Sequence, residues 1–345
     1  MKIFLSCILS FIILILMSSK TNAAELKEIE LNEFKDVWFG NAQDEIAKTG
    51  VTIAIFPKGA KAGVDISGGG PASRETPVIS PLTNPTPINA IVLAGGSAYG
   101  LAASDGVMNW LEENKIGYDT RAALVPIVVQ SDIYDLTYGS SKIRPTAQMG
   151  RDACESAKRH EKMKSGNFGA GIGATVGKFK GMNQAMKSGL GIYAVDVNGL
   201  KVAAIVVVNA LGDIYDERNG QKIAGLLTED RKNFLDTREE FYKLQKTTDS
   251  FNRENTTIGM IITNGNFDKS QLTKISSMTR NAYARSIKPV GTLADGDTIY
   301  SVSVGEVKAD LNMVGTLASE VMSEAIRRAV FNSKVSDEEY FKNIK

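Results

Sequence analysis

Short apolar runs and segments of helical spacing alternate along the chain. Apolar runs bounded by glycine, proline or asparagine favour strands, and they occur at residues 51–56, 88–93, 123–134, 192–197, 202–209, 257–263 and 298–304. Apolar residues spaced by three and four predict helices, which we expect at residues 101–113, 146–158, 232–245, 270–286 and 311–331. Because these elements follow one another without a clear linker or repeat, we predict a single layered α/β domain.

Several segments lack this periodicity. Residues 59–87 are rich in glycine and proline and predict turns. Residues 218–254 predict an exposed polar loop that contains one helix, and the charged tail 333–345 is expected to fray. Asn198-Gly199 separates two strand segments and predicts a two-residue hairpin turn.

The first 23 residues predict a secretory signal. A positive start at Met1-Lys2 precedes an apolar run at residues 3–17, and a small polar segment ends in Ala23. Small residues at the −3 and −1 positions favour cleavage after Ala23. The apolar run is shorter than the roughly 20 residues that span a membrane, and no later segment approaches that length. We therefore predict a signal peptide at 1–23 and an exported, periplasmic or secreted domain at 24–345, soluble once the signal is removed.

Composition limits the partners and the chemistry. The chain is 43% hydrophobic with a net charge of +1, which gives no electrostatic reason to expect nucleic acid or a membrane surface as a partner. Cys154 remains alone after signal removal, so an internal disulfide cannot form. The segment around Cys154 favours a buried helix residue over a disulfide between chains.

A single histidine, His160, stands in the charged run 158–162. This excludes Ser-His-Asp and Cys-His arrangements and every metal site built from several histidines. If the chain is a hydrolase, its general base is another group.

A polar run changes abruptly into an apolar strand at Asn255-Thr256-Thr257. Cleavage before Thr256 would expose an N-terminal threonine, whose hydroxyl can act as nucleophile and whose α-amine can act as base. An ordinary turn before a strand has the same pattern, so these residues alone leave both interpretations open.

Three further segments carry candidate chemistry. The glycine-rich segment 169–178 departs from the nucleotide-binding pattern; it either packs closely and delivers Lys178 into a confined site or forms a turn with a solvated lysine. Asn209 ends an apolar strand, where it can stabilise an oxyanion or cap a loop. Asp295-Gly296-Asp297 precedes a strand and can bind Ca²⁺, hold an ammonium group, orient a catalytic amine or form a turn.

Taken in order, these segments resemble the self-cleaving S58 peptidases, which include DmpA-type D-aminopeptidases, β-peptidyl aminopeptidases and nylon-oligomer endohydrolases. The matching segments span almost the whole mature chain: Gly68-Gly69-Gly70-Pro71, Arg74-Glu75-Thr76, residues 93–101, Ile133-Tyr134-Asp135, Arg144-Pro145-Thr146, residues 169–178, Val208-Asn209, Asn255-Thr256-Thr257 and Asp295-Gly296-Asp297-Thr298.

The resemblance implies a four-layer αββα sandwich of the N-terminal-nucleophile type also found in ornithine acetyltransferases. It implies autocleavage between Asn255 and Thr256 into an α chain, 24–255, and a β chain, 256–345. Thr256 would be the nucleophile, and its freed α-amine, with an ordinary pKa of roughly 7.7–8.0, would be the base. The substrates would be small peptides or amides with a free N-terminus.

The same resemblance implies roles for the neighbouring residues. Lys178 would favour the deprotonated nucleophile, Asn209 would stabilise the oxyanion, and Tyr134 would line the site and assist proton transfer. Asp295 and Asp297 would position the Thr256 amine or the amino end of the substrate. No cofactor or metal is implied, and the αβ units are expected to form homo-oligomers. The Asn-Thr pair at the cut is nearer the nylon-oligomer hydrolases, since some other members use Gly-Ser.

Two other functions remain open from the sequence. An acyltransferase of the ornithine acetyltransferase type also cleaves itself before threonine, although cytosolic biosynthesis would not need a signal peptide. A non-catalytic periplasmic binding protein would keep the fold without cleavage, although intact Thr256, Lys178 and Asn209 argue against it.

Overall fold

A computed structural model describes residues 26–244 and 255–344 of the chain. The predicted signal peptide at 1–23 and the polar residues 245–254 before the predicted cut lie outside this part. Across the described ranges, no helix combines the length and the apolar character that a membrane span requires.

The described residues form strands and helices in a mixed order. The strands are β1 (Lys27–Glu28), β2 (Trp38–Asp44), β3 (Thr49–Ile66), β4 (Ala72–Arg74), β5 (Ile88–Ala94), β6 (Tyr118–Asp119), β7 (Leu124–Val125), β8 (Val128–Asp132), β9 (Thr175–Val176), β10 (Met186–Lys187), β11 (Leu190–Val197), β12 (Leu200–Asn209), β13 (Asp213–Asp216), β14 (Gln221–Ala224), β15 (Thr256–Gly265), β16 (Ile287–Lys288) and β17 (Thr298–Val307). The α-helices are α1 (Ala103–Glu113), α2 (Ala147–Lys158), α3 (Thr237–Tyr242), α4 (Lys269–Ser286), α5 (Leu311–Phe331) and α6 (Asp337–Asn343). Short 3-10 helices lie at Leu31–Glu33, Thr76–Ile79, Ser97–Ala102, Gly169–Gly171, Lys178–Lys180 and Met182–Gln184.

The long strand β3 belongs to two sheets. Its first part pairs with β2 and β5, its end pairs with β17, and the register with β5 shifts between Ile55 and Ala60. The continuous hydrogen-bonded path runs β1-β11-β12-β15-β17-β3-β5-β8-β4. One sheet therefore contains β1, β11, β12, β15, β17 and the end of β3, and the other contains β2, the start of β3, β5, β8 and β4.

Alternating residues of β12 show that the first sheet is covered on both faces. Val202 and Val206 pack with residues of α4 and α5, whereas Ile205 and Val207 pack with residues of the second sheet. A strand buried on both faces is expected to be a continuous apolar run, as residues 202–208 of β12 are.

The second sheet is covered on its outer face by α1 and α2. Ile53 of β3 shares a buried apolar cluster with Trp110 of α1 and Ala153 of α2. Apolar layers therefore lie between helices and sheet, between the two sheets, and between sheet and helices. This arrangement confirms the predicted four-layer αββα sandwich.

The predicted strands and long helices are found with changes at their ends, except that the strand predicted at 123–134 is divided into β7 and β8, which belong to different sheets. Residues 198 and 199, between β11 and β12, both have positive φ, as a two-residue hairpin turn of this kind requires. Helix α4 begins after Asp268, whose side chain forms a capping box with Gln271. The strand predicted at 51–56 is longer, because β3 continues through Gly59, which has a φ of 75°. The prediction of turns over 59–66 was therefore wrong.

Two polar segments also differ from their predictions. The helix predicted at 232–245 is shorter and begins after Asp236, which accepts hydrogen bonds from the N–H groups of Arg238 and Glu239. The tail predicted to fray contains α6, where Tyr340 is buried and its hydroxyl donates to the Met182 carbonyl at 2.9 Å. Contacts with residues distant in sequence, which also include an ion pair between Arg231 and Asp337 and a β-bridge between Tyr138 and Ile344, thus hold this charged segment.

The segment predicted as an exposed loop at 218–254 is partly buried within its described portion. The Asp213 carboxylate accepts hydrogen bonds from the N–H groups of Leu226 and Thr237 and pairs with Lys222 at 2.7 Å. This buried carboxylate ties β13, β14 and the start of α3 together.

Candidate active site

Strand register brings three of the predicted site segments together. Asn209 at the end of β12 lies opposite Thr256 at the start of β15. Strand β17 runs parallel to β15, with Thr298 opposite Ile258, and Asn255 bridges to Asp295. The predicted nucleophile, the predicted oxyanion donor and the acidic turn therefore meet at one end of the first sheet.

The side chain of Asn209 is held in one orientation. Its Oδ1 accepts hydrogen bonds from Lys178 Nζ at 2.8 Å and from the Thr175 N–H at 3.0 Å, and its Nδ2 donates to the Tyr134 carbonyl at 2.9 Å. Two donors on one side and an acceptor on the other distinguish the oxygen of the amide from its nitrogen.

The glycine-rich segment packs closely and delivers Lys178 into the interior, where the side chain is 8% exposed. Gly177 has a φ of 73°, and a Cβ at this position would overlap the backbone of Gly225. Lys178 Nζ also donates to the backbone carbonyl of Asn209 at 2.9 Å. Of the two interpretations that the sequence left open, the structure shows the closely packed segment with a buried Lys178 and excludes the solvated lysine.

In the uncleaved chain, the Thr256 hydroxyl contacts the peptide bond that precedes it. Thr256 is 5% exposed, and its Oγ1 donates to the carbonyl oxygen of Asn255. The same oxygen accepts a hydrogen bond from the Gly296 N–H at 2.9 Å. A Cβ at Gly296 would lie 2.9 Å from Thr256 Oγ1, so glycine leaves room for the hydroxyl.

The two aspartates of the acidic turn are buried and face the backbone. Asp297 accepts hydrogen bonds from the Thr257 N–H at 2.6 Å and the Gly291 N–H at 2.9 Å. Asp295 accepts from the Thr292 N–H at 2.9 Å and the Thr292 hydroxyl at 2.6 Å. These carboxylates fix the 291–297 loop and the residue that follows Thr256.

Burial also changes the pKa values of the two aspartates in this turn. Loss of hydration and the nearby Asp295 carboxylate raise the pKa of Asp297 to about 8. Burial raises the pKa of Asp295 as well, although hydrogen bonds from Thr292 and the positive charge of Lys178 oppose the shift. Two adjacent carboxylates in one buried loop favour at most one negative charge.

The remaining predicted residues have different surroundings. Tyr134 is half-buried, and its backbone carbonyl carries the contact with Asn209. His160 is exposed and packs edge-on against Trp38. Cys154 is buried in α2, as predicted, and burial raises the pKa of its thiol. No group of three His, Cys, Asp or Glu side chains within the described ranges is placed to hold a metal ion.

Sequence reasoning missed the backbone donors of the site. The N–H groups of Thr175 and Gly296 contact Asn209 and the Asn255 carbonyl, respectively. Every residue except proline has such a group, so no residue type marks its position in a sequence.

The chain is similar to proteins of known family. The chain is 35% identical over 267 residues to an uncharacterised aminopeptidase of Mycobacterium leprae (strain TN), covering 75% of this chain and 72% of the relative. It is 30% identical over 315 residues to the 6-aminohexanoate-oligomer endohydrolase of Kocuria sp. (strain KY2), covering 86% and 84%.

A solved structure and a family profile complete the comparison. The L-aminopeptidase D-Ala-esterase/amidase from Ochrobactrum anthropi, described as a variant of the Ntn hydrolase fold, superposes with a TM-score of 0.65 at 16% identity, covering 89% of this chain and 90% of that chain. This likeness establishes the fold. The profile of peptidase family S58 matches residues 32–339, and the chain therefore belongs to peptidase family S58 and is a hydrolase of that family.

Proposed function

We propose that the chain is a self-processing amidase that uses Thr256 as an N-terminal nucleophile and cleaves small peptides or amides with a free amino end. The observation that carries the proposal is the contact of the Thr256 hydroxyl with the Asn255 carbonyl oxygen, to which the Gly296 N–H also donates. A fixed donor on that oxygen stabilises the negative charge that develops when the carbonyl is attacked.

Self-processing begins with attack of Thr256 Oγ1 on the carbonyl carbon of Asn255. The C–N bond between the two residues breaks as a C–O ester bond forms, and the hydroxyl proton passes to the departing nitrogen of Thr256. Water then hydrolyses the ester. The products are an Asn255 carboxylate at the end of the α chain and a free amine and hydroxyl on Thr256 at the start of the β chain.

Turnover uses the same atoms with a substrate carbonyl in place of that of Asn255. The freed α-amine takes the proton of Oγ1 during attack and passes it to the leaving amine of the substrate. Water, deprotonated by the same amine, hydrolyses the acyl ester and regenerates the hydroxyl. The two half-reactions need no histidine, which fits a chain whose one histidine is on the surface.

Neighbouring groups support these steps electrostatically. The positive charge of Lys178 lies beside Asn209, close to the start of β15, and favours a deprotonated Oγ1. The Asn209 amide and the Gly296 N–H are the donors for the oxyanion, and losing one such donor typically slows an enzyme about 10²–10³-fold. The hydrogen bond from the Thr257 N–H to Asp297 supports a role for Asp297 in orienting the N-terminal threonine.

The substrate class rests on the relatives. Their names, an aminopeptidase and a 6-aminohexanoate-oligomer endohydrolase, describe cleavage of amide bonds. Transfer of this activity to the present chain, export through the N-terminal signal and assembly of αβ units into oligomers are parts of the same proposal. Neither the acyltransferase nor the binding protein considered from the sequence has support from the family.

The nucleophile is tested by substitution at two adjacent threonines. Thr256→Ala should give a folded, uncut chain without amidase activity, and Thr256→Ser should still process, more slowly, because a hydroxyl remains. Thr257→Val removes the neighbouring hydroxyl and should leave both processing and turnover within a few-fold of the wild type. Activity is measured on a short peptide amide and on its N-acetylated form, of which only the free amine should be cleaved. Full activity of Thr256→Ala, or loss of activity in Thr257→Val alone, would contradict the assignment.

A further inference from the structure

Asp135 lies next to the candidate site, and its buried carboxylate has no role in the proposed reaction. It follows Tyr134 beyond the end of β8 and is 3% exposed. Its Oδ1 accepts a hydrogen bond from the Gly96 N–H at 2.7 Å, and its Oδ2 accepts one from the Thr49 hydroxyl at 2.7 Å. The carboxylate therefore joins the turn after β5 and the start of β3 to the segment that follows β8.

Two glycines let backbone pack directly against this carboxylate. A Cβ at Gly95 would overlap Asp135 Oδ2, and a Cβ at Gly173 would lie 2.8 Å from Asp135 Cβ and 2.9 Å from Oδ2. Gly173 belongs to the glycine-rich segment that ends in Lys178. Asp135 is consequently a point where this segment, β3 and the turn after β5 are fixed relative to one another.

The backbone of Asp135 leads directly to Asn209. The Tyr134 carbonyl and the Asp135 N–H belong to one planar peptide group, and that carbonyl accepts the hydrogen bond from Asn209 Nδ2 at 2.9 Å. On its other side, the Asn209 amide accepts from Thr175 and Lys178, which the glycine-rich segment carries. Asp135 therefore connects the groups on both sides of this amide: the Tyr134 carbonyl on one side, and the segment that carries Thr175 and Lys178 on the other.

The ionisation state of the Asp135 carboxylate supports the same arrangement. Burial raises the pKa of Asp135 to about 6, against the hydrogen bonds from Gly96 and Thr49 and the positive charge of Lys178, which lower it. The carboxylate is thus mostly ionised at neutral pH and can accept both hydrogen bonds. A neutral side chain of similar shape would retain only part of this network.

We propose that Asp135 is a positioning residue: its carboxylate fixes the 134–135 peptide and the glycine-rich segment so that Asn209 and Lys178 are held in place for the reaction at Thr256. The inference rests on the proposed function, because it concerns the same site. Asp135 does not touch the reacting atoms, and its loss should lower kcat and slow self-processing without changing KM.

The experiment compares Asp135→Ala, Asp135→Asn and Thr49→Val. Rates are expressed per mole of titrated N-terminal threonine, so that incomplete processing does not lower kcat. Asp135→Ala should lower kcat on the order of 10²-fold, as misplacement of catalytic groups does, with KM within about twofold of the wild type. Asp135→Asn should recover about tenfold of this loss, since its amide can accept from Gly96 while donating to the Thr49 oxygen. Thr49→Val removes one donor and should lower kcat about five- to tenfold.

Thr263→Val is the matched control for Thr49→Val. Thr263 is buried at the far end of β15, and its hydroxyl donates to the Lys201 carbonyl at 2.9 Å. Its loss should reduce stability and leave kcat unchanged. If Asp135→Ala does not fold, the Asn and Thr49 variants decide the question.

A kcat within twofold of the wild type in the folded variants would overturn the inference, and so would a raised KM with unchanged kcat, which would indicate substrate binding by Asp135. Failure of the proposed function is distinguished by Thr256→Ala: if that variant is inactive while the Asp135 variants behave like the wild type, only the positioning role is wrong.

Discussion

The two ends of β15 carry similar residues but differ in the contacts that these residues make. At the far end, Asn264 donates to the Gly199 carbonyl at 2.9 Å and accepts from the Lys201 N–H at 2.7 Å, so this side chain completes the hairpin of β11 and β12. At the near end, the Thr256 hydroxyl contacts a peptide bond of its own chain, and the Asn209 side chain is held by three residues, Thr175, Lys178 and Tyr134, from two other segments.

The difference distinguishes the candidate site from an ordinary strand end. At the far end, polar side chains satisfy backbone groups, which is the usual fate of buried polar atoms. At the near end, Asn209 makes the same two kinds of backbone contact, but its Oδ1 also accepts from the Lys178 side chain, and the Gly296 N–H donates to the carbonyl of the peptide bond that Thr256 contacts. The Thr175 N–H is held in β9, and the Gly296 N–H lies in the loop that the Asp295 and Asp297 carboxylates fix, so both donors have little freedom to move.

The difference between the two ends is tested most strongly by replacing one asparagine at each end with alanine. Asn209→Ala should slow self-processing and lower kcat about 10²–10³-fold, because an oxyanion donor and the partner of Lys178 are both lost. Asn264→Ala should cost about 1 kcal/mol of unfolding free energy through its lost hydrogen bonds and leave kcat unchanged. Mass spectrometry of the chains and steady-state kinetics measure both effects. Equal losses of kcat would mean that the two ends do not differ as described.

Substitution of two glycines with positive φ tests whether the near end depends on close backbone packing or only on the backbone conformation of the glycine. Gly199→Ala introduces a Cβ with no atom within 4 Å and should cost about 1–2 kcal/mol of unfolding free energy for its φ of 88°. Gly177→Ala adds an overlap with the Gly225 backbone and should also displace Lys178. We expect a larger loss of stability for Gly177→Ala, together with at least about a tenfold lower kcat. Urea denaturation and kinetics check both; similar behaviour of the two variants would remove close packing as the cause.

A further prediction concerns the pH dependence of stability at the near end. In the folded protein Asp297 keeps its proton up to about pH 8, whereas in the unfolded chain it ionises near pH 4. Between these values the folded state binds more protons, so the contribution of Asp297 to the unfolding free energy falls as the pH rises.

This is measured in the uncut Thr256→Ala background by urea denaturation between pH 5 and pH 8. The single variant should lose more stability over this interval than the double variant that also carries Asp297→Asn. Parallel curves for the two proteins would show that Asp297 ionises in the folded state as it does in water.

The sequence predicted those parts of the fold that depend on local patterns. The strands β12 and β15 and the helix α5 have continuous or periodic apolar positions, and the resemblance to S58 peptidases predicted the layer order. The end of β3 was missed because Pro57 and Gly59 are typical of turns, while the pairing with β17 is non-local. The order of the tail was missed because it depends on Tyr340 packing against Tyr138, with ring centres 5.6 Å apart.

The sequence named side chains of the candidate site and did not reveal its backbone donors. Thr256, Lys178 and Asn209 could be named because their residue types carry chemistry, and the strand register brings Asn209 opposite Thr256. Asp135 was part of a matched segment without a role, since its importance comes from contacts with Thr49 and Gly96, which are distant in sequence.

The central claim, that the chain cuts itself before Thr256, is tested most directly by intact-mass analysis and N-terminal sequencing of the purified, exported protein. In proportion to 37.2 kDa for 345 residues, cleavage predicts chains of about 25 and about 10 kDa, the smaller beginning with Thr256. A single stable chain of about 35 kDa in an active preparation, or a smaller chain that begins elsewhere, would contradict the account.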